Sequence, residues 1–319
     1  VDIIPRERAL LRAPLDEERE AWAAARERIE RSRHWVSPKG RRLRRRTEAF
    51  NVALWAFATS VKFAGLFGRG RRNALAPTLV DLDLFFPTLP TAFDGYRILH
   101  LTDTHLDALP ELADIAERML VGVEADLLVL TGDIMGKPDG ELVSATVPLA
   151  RVLAGTTIRD RRLAVLGNHD PTTMAGALET LGFEVLLNRA VTLVRGTDRI
   201  SITGLDDVHQ FYTEAAGHAL FESGEEFRIA LVHSPEMADH AAEAGIALYL
   251  TGHTHGGQIC LPGGRPLLTR LTRCRHAAVG QWRHGMMQGY TSRGLGISWP
   301  PLRYNCRGEI TMITLRRAL

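Results

Sequence analysis

The chain has 319 residues, of which 45% are hydrophobic and 24% charged, with a net charge of +2. That balance suits a packed globular protein and excludes a disordered chain, a collagen-like fibre and a polytopic membrane protein. Three cysteines (Cys260, Cys274, Cys306) leave one over in any pairing, so a reducing compartment is expected rather than a disulfide scaffold.

The modest net charge conceals a split. Residues 1–72 carry +9 and the remainder −7, which predicts a basic arm that meets an anionic surface. Asp16 to Trp35 reads as a surface helix, rich in Ala, Glu and Arg, ended by Ser37-Pro38-Lys39-Gly40. Arg41, Arg42, Arg44, Arg45 and Arg46 precede an apolar run from Ala49 to Phe67, and Arg69, Arg71 and Arg72 follow it. Phe50, Leu54, Phe57, Val61 and Ala64 recur at helical spacing within the run. Three readings stand for it: a helix lying on anionic lipid through 41–72, a transmembrane anchor, or a helix packed on the protein's own body. So long a stretch before the apolar run does not suit a cleavable signal peptide.

From about residue 78 the pattern changes to short apolar runs that stop abruptly at polar residues. Arg97 to Thr102 leads into Asp103-Thr104-His105, and Asp126 to Leu130 into Thr131-Gly132-Asp133. Leu163 to Leu166 precedes Gly167-Asn168-His169-Asp170, Phe227 to Val232 precedes His233, and Ala247 to Leu250 precedes Gly252-His253-Thr254-His255. Segments of helical composition lie at 108–123, 141–154, 171–181 and 235–244. Strands alternating with helices predict an α/β fold with a parallel or mixed sheet, whose ligands gather at the strands' carboxyl ends. His100, within the first strand, is expected to be a core group.

Two Asp, one Asn and four His at these ends offer oxygen and imidazole donors, which suit Mn, Fe or Zn better than Mg or Ca. Seven donors exceed the needs of one four-coordinate ion, and two ions sharing a carboxylate would use them.

The series Asp103-x-His105, Gly132-Asp133, Gly167-Asn168-His169-Asp170, His233 and Gly252-His253-x-His255 resembles the calcineurin-like metallophosphoesterase signature. The resemblance implies a four-layer αββα sandwich of two mixed sheets over residues 78–319, with 1–77 an N-terminal helical arm. It implies that Asp103, His105 and His255 hold one divalent metal, that Asn168, His233 and His253 hold the other, and that Asp133 bridges them. It also implies hydrolysis of phosphoester or pyrophosphate bonds by a metal-bridging hydroxide. His169 is then the catalytic acid at the substrate phosphate, and Asp170 either orients His169 or caps the following helix.

Gly256-Gly257-Gln258-Ile259, Tyr290 to Gly296, Pro301-Leu302-Arg303-Tyr304 and Glu309-Ile310 resemble a bacterial subgroup of membrane-associated phosphodiesterases, some of which act on pyrophosphate-linked lipid precursors. That implies a phospholipid or nucleotide-linked lipid substrate, with Arg293 and Arg303 binding its phosphate. The apolar and basic segment 261–288 reads as a long loop over the site. A cytoplasmic location, peripheral on the inner membrane face, follows from the same resemblance. The rival readings are a soluble nucleotide or cyclic-nucleotide phosphodiesterase, and an inactive metal-bound scaffold with a partner-binding arm. No nucleic-acid partner is expected, because no aromatic-interleaved binding module accompanies the arginines.

Overall fold

The computed structural model describes residues 4–32, 52–137, 140–222 and 227–318, with side chains from residue 17 onward. The chain divides into two compact units, Val1–Ala53 and Leu54–Leu319. The first contains helix α1 (Ile4–Ser32), which starts earlier than Asp16; residues 33–35 of the expected helix lie outside the described residues. Its Arg, Glu and Ala content favours helix throughout; Pro5 sits in the first turn, where no intrahelical N–H bond is lost, and Pro14 removes a single N–H donor. The Ser37 to Gly40 stop and the Arg41 to Arg46 cluster lie outside the described residues.

Residues 52–63 form α2. Gly65, at φ 71°, turns the chain there. The N–H of Gly65 donates to Lys62 and that of Leu66 to Val61, a left-handed cap that breaks the apolar run. Among the described residues, no helix is long and apolar enough to cross a membrane.

Helix α3 (Phe67–Ala74) follows. The chain just before β1 is hydrogen-bonded to residues 303 and 304 within the second unit. Gly70 O accepts from Arg303 N (3.0 Å), Asn73 Nδ2 donates to Arg303 O (2.9 Å), and Tyr304 Oη donates to Leu66 O (2.5 Å).

The second unit contains twelve strands: β1 (Thr78–Phe86), β2 (Arg97–Leu101), β3 (Glu124–Thr131), β4 (Thr157–Val165), β5 (Glu184–Val185), β6 (Arg189–Arg195), β7 (Asp198–Gly204), β8 (Phe227–Leu231), β9 (Leu248–Thr251), β10 (Gly280–His284), β11 (Met287–Thr291) and β12 (Glu309–Arg317). They form two six-stranded sheets, ordered β1-β12-β2-β3-β4-β5 and β10-β11-β9-β8-β7-β6. Both sheets are mixed. In the first, β2, β3 and β4 run parallel while β12 is antiparallel to β2; in the second, β7, β8, β9 and β11 run parallel between antiparallel edges.

Alternation along the strands decides which face meets which layer. Ile98, Leu127, Val129, Leu163 and Val165 of the first sheet share one core with Ile200, Ile202, Ile229, Leu231, Leu248 and Leu250 of the second. Each such side chain contributes about 1.5–3 kcal/mol through burial. Helices α4 (Glu111–Leu120), α5 (Val143–Leu153) and α6 (Met174–Thr180) follow strands of the first sheet. Helices α7 (Glu214–Phe221) and α8 (Ala238–Glu243) follow strands of the second and bury Ala216, Ala219, Ala238 and Ala241 against Ala230 and Tyr249. The result is the expected pair of mixed sheets with flanking helices. The supposed loop 261–288 is shorter than predicted, since β10 and the start of β11 occupy 280–288.

Candidate metal centre

Strands β2, β3 and β4 of one sheet and β8 and β9 of the other deliver their carboxyl ends to a common place. The connections are backbone hydrogen bonds: Asp103 N–H donates to Gly132 O and Gly252 N–H to His233 O, both at 2.9 Å. Close approach explains the glycines that precede the ligands. A β-carbon on Gly252 would lie 2.2 Å from Asp103 Oδ2, and one on Gly167 would lie 2.2 Å from Asp133 Oδ1. Asp103, His105, Asp133, His253 and His255 all have positive φ, a costly backbone region for residues with side chains.

Two donor groups result. Asp103, His105 and His255 offer ligand atoms within 4.8 Å of one another, as do Asp133, His233 and His253, and all six residues are buried. Asn168 joins the second group, its Oδ1 3.3 Å from His233 Nε2. Asp133 stands between the groups, with Oδ2 3.3 Å from His233 Nε2 and 3.8 Å from His105 Nε2. Carbonyl oxygens fix two of the rings. His105 Nδ1–H donates to Met135 O (2.7 Å) and His233 Nδ1–H to Thr131 O (2.8 Å), which leaves each Nε2 lone pair facing the site.

The donor set fits divalent cations. Asp103 Oδ1 and His105 Nε2 are buried without a hydrogen-bond partner among the described residues, an arrangement that costs free energy unless a cation satisfies them. Burial pushes the Asp103 carboxyl up to about 6 and the His105 imidazole down to about 4. Burial opposes ionisation of Asp133 as well, but the imidazoles of His233, His169 and His105 hold it well below the usual carboxylate range. Burial likewise opposes a charge on His233, yet Asp133, with Asp103 and Asp207, pushes it up to about 10.

His169 lies at the edge of this centre, partly exposed. Its ring centroid is 5.3 Å from that of His105, and Nδ1–H donates to Gly136 O (3.1 Å). The expectation for Asp170 is corrected. Its buried carboxylate accepts from the backbone N–H groups of Ile134 (2.8 Å), Met135 (3.1 Å) and Gly167 (2.8 Å), while the His169 ring is held by Gly136. Asp170 thereby pins the Asp133 loop to the Asn168 loop. Helix α6 begins at Met174, after Thr173.

Both arginines are also reassigned. Arg303 is 0% exposed. Its guanidinium donates to the carbonyls of His255 (3.1 Å), Arg293 (2.7 Å), Gly294 (3.2 Å) and Gly296 (2.6 Å), so it ties backbone segments together and cannot meet a substrate. Arg293 pairs with the buried carboxylate of Glu309 (2.5 Å) and lines a cavity with Arg69, Asn73 and Arg307. His100 is buried as expected, bonded to Thr131 Oγ1 (2.8 Å), and burial lowers it to about 3.

One neighbour of the centre escapes the sequence reading. The His209 ring lies 4.3 Å, centroid to centroid, from His253. Glu236 accepts from His209 and Thr272; burial opposes its charge, but these bonds bring it down to about 2. The missed signal is Gly204-Leu205-Asp206-Asp207 at the end of β7, another apolar strand that stops at polar residues.

A two-sheet α/β fold with paired metal-ligand groups at its strand ends, read with the sequence relationships that follow, defines a metal-dependent phosphoester hydrolase. The sequence profile of the calcineurin-like phosphoesterases matches residues 96–257, and the chain belongs to that family. It is 35% identical over 261 residues to the metallophosphoesterase YkuE of Bacillus subtilis, covering 78% of this chain and 90% of YkuE. It is 28% identical over 232 residues to the phosphodiesterase YaeI of Escherichia coli, with 69% and 82% covered. A transmembrane protein with a metallophosphoesterase domain from Danio rerio is 28% identical over 267 residues, and the match spans 77% of this chain and 59% of that protein.

Proposed function

We propose that this chain is a dinuclear phosphodiesterase acting on a phospholipid or nucleotide-linked lipid at a membrane surface. The observation that carries the reading is the place of Asp133 Oδ2 between His233 of one donor group and His105 of the other. Asp103, His105 and His255 would hold one cation and Asn168, His233 and His253 the second, with Asp133 between them; Mn, Fe and Zn all accept such donors. Bound there, two cations supply a nucleophile at neutral pH and neutralise charge on the phosphate. The ring of His169, set by Gly136 O, turns Nε2 outward, from which a proton passes to the leaving oxygen. Asp170 keeps His169 in place indirectly, through the backbone N–H groups it gathers.

Support for a lipid comes from the surface. Trp55 is 64% and Phe63 89% exposed, Leu66 is exposed beside them, and Lys62, Arg69 and Arg72 flank them. Apolar side chains beside basic ones suit the interface of an anionic membrane. Leu261, Leu267 and Leu268 are also exposed. The two patches meet at one segment: Tyr304 donates to Leu66 O, and Asn305 Nδ2 donates to Cys260 O (2.9 Å). Cys260 is five residues after His255, so the apolar surface adjoins the metal-ligand segment. A diester rather than a monoester agrees with the name of the relative YaeI, and membrane contact with that of the Danio rerio relative.

Hydrolysis of bis(4-nitrophenyl) phosphate, cyclic nucleotides and a nucleotide-linked lipid in mixed micelles, each with added Mn2+, tests the reading. So does co-sedimentation with phosphatidylglycerol and phosphatidylcholine vesicles. The expected result is preference for the lipid and binding to the anionic vesicles, weakened in Phe63→Ser. Cyclic-nucleotide hydrolysis without vesicle binding would replace the lipid reading with a soluble phosphodiesterase.

A further inference from the structure

His209 belongs to neither donor group, yet it is built into their surroundings. Its backbone N–H donates to Asp207 Oδ1 (3.1 Å), and its ring is tilted 46° against that of His253. The Nδ1–H of His209 donates to Glu236 Oε2 (2.6 Å), and the hydroxyl of Ser234 donates to the same oxygen (3.2 Å). Glu236 Oε1 accepts from the backbone N–H of Thr272 (2.8 Å) and from its hydroxyl (2.5 Å). One largely buried carboxylate thus joins the loop after β7, the turn that follows His233, and the irregular segment between β9 and β10.

We propose that His209 is a positioning residue for the second donor group: Glu236 fixes its ring behind His253 and links that ligand to the segment carrying Thr272. The inference rests on the dinuclear reading above. A flat ring packed 4.3 Å from another restricts rotation of His253 about its Cβ–Cγ bond. His253, whose Nδ1 lies 3.2 Å from His233 Nε2, then stays aligned with His233 and Asp133. Moving the 261–279 segment would strip Glu236 of both Thr272 bonds and loosen the ring that backs the ligand. The Glu236 carboxylate therefore links the apolar side chains of that segment mechanically to the second donor group.

The test is Mn2+ titration of the metal-stripped full chain, followed by isothermal calorimetry and by metal analysis after desalting. Wild type should bind two ions. In His209→Ala and Glu236→Gln the first ion should bind as in wild type and the second about 10–100-fold more weakly, the range for loss of a ligand's outer partner. Turnover should recover at saturating Mn2+, which a collapsed fold would not allow. Thr272→Val should shift the second ion in the same direction by less, and His209→Phe, which keeps a flat ring, should fall between His209→Ala and wild type. His240→Ala, at a partly exposed pair with Asp239, is the control. If His209→Ala fails to fold by circular dichroism, Glu236→Gln and Thr272→Val decide. Two equally tight ions in every variant overturn the inference alone. A wild-type chain that retains fewer than two ions overturns the dinuclear reading and the inference with it.

Discussion

The backbone N–H of His253 donates to Asp103 Oδ2 at 2.9 Å, across 150 residues of sequence and from one sheet to the other. The same carboxylate accepts from Thr102 Oγ1 (2.8 Å), which leaves Oδ1 as the atom available to a cation. Asp103→Asn should therefore remove a metal donor while keeping an oxygen for the His253 contact. The expected outcome is loss of one Mn2+ per chain and a fall in kcat/KM beyond the about 10–100-fold typical of outer-partner changes. Metal analysis alongside steady-state kinetics checks both parts, and unchanged stoichiometry counts against the assignment.

His169→Ala should separate proton transfer from metal binding. Its ring contacts Gly136 O and abuts His105, outside the two donor groups. Turnover of a substrate with a poor leaving group should fall about 10²–10⁴-fold, with two ions retained. An activated aryl diester, which needs less help at the leaving oxygen, should be affected less. Equal losses on both substrates would argue against an acid at Nε2.

Arg303→Met tests the structural assignment of that arginine. The guanidinium holds four carbonyl oxygens from His255 and residues 293–296, so its loss leaves buried acceptors without donors. Stability should drop by on the order of 3 kcal/mol, from the ~1–3 kcal/mol cost of each unsatisfied group after partial relaxation. Denaturant unfolding measures it. A variant of wild-type stability with raised KM would restore the substrate role.

Metal loading should depend on pH with a defined sign. In the metal-free protein His233 keeps its proton up to about 10 against an ordinary value of 6.5, and Asp103 keeps one up to about 6 against 3.8. A cation must displace those protons, so affinity rises with pH, by about tenfold per unit for each proton released. Below about 6 the dependence steepens as Asp103 joins. Conversely, the stability that His233 contributes to the metal-free fold is fully present below about 6.5 and lost as pH rises through about 10. Calorimetry in two buffers of different ionisation enthalpy should show proton release at pH 7.5; identical heats would contradict it.

Much of the centre was legible because it is written locally: an apolar run that stops at a ligand, repeated where β2, β3, β4, β8 and β9 end, with a glycine just before the ligand after β3, β4 and β9. Other features depend on contacts that sequence does not display. Strand β12 comes from the chain's end and inserts between β1 and β2. In sequence, Arg303 looks like any arginine, and only the carbonyls converging on it make it a buried brace. His209 stands several residues beyond the end of β7 rather than directly at it, and its place beside His253 follows from the packing of β7 next to β8. Helix α1 begins ahead of Asp16 and continues through Pro14, where sequence composition alone marks no start.

The left-handed backbone at Asp103, His105, Asp133, His253 and His255 has a consequence for which ions the protein accepts. Conformations that cost about 1–3 kcal/mol apiece persist only where neighbouring structure enforces them, so the donor atoms hold their spacing before any ion arrives. A cage of that kind yields little to the radius of its guest. Discrimination among Mn, Fe and Zn then falls to how each ion suits a fixed geometry and to which is most abundant in the cell, rather than to the polypeptide reshaping itself around each one.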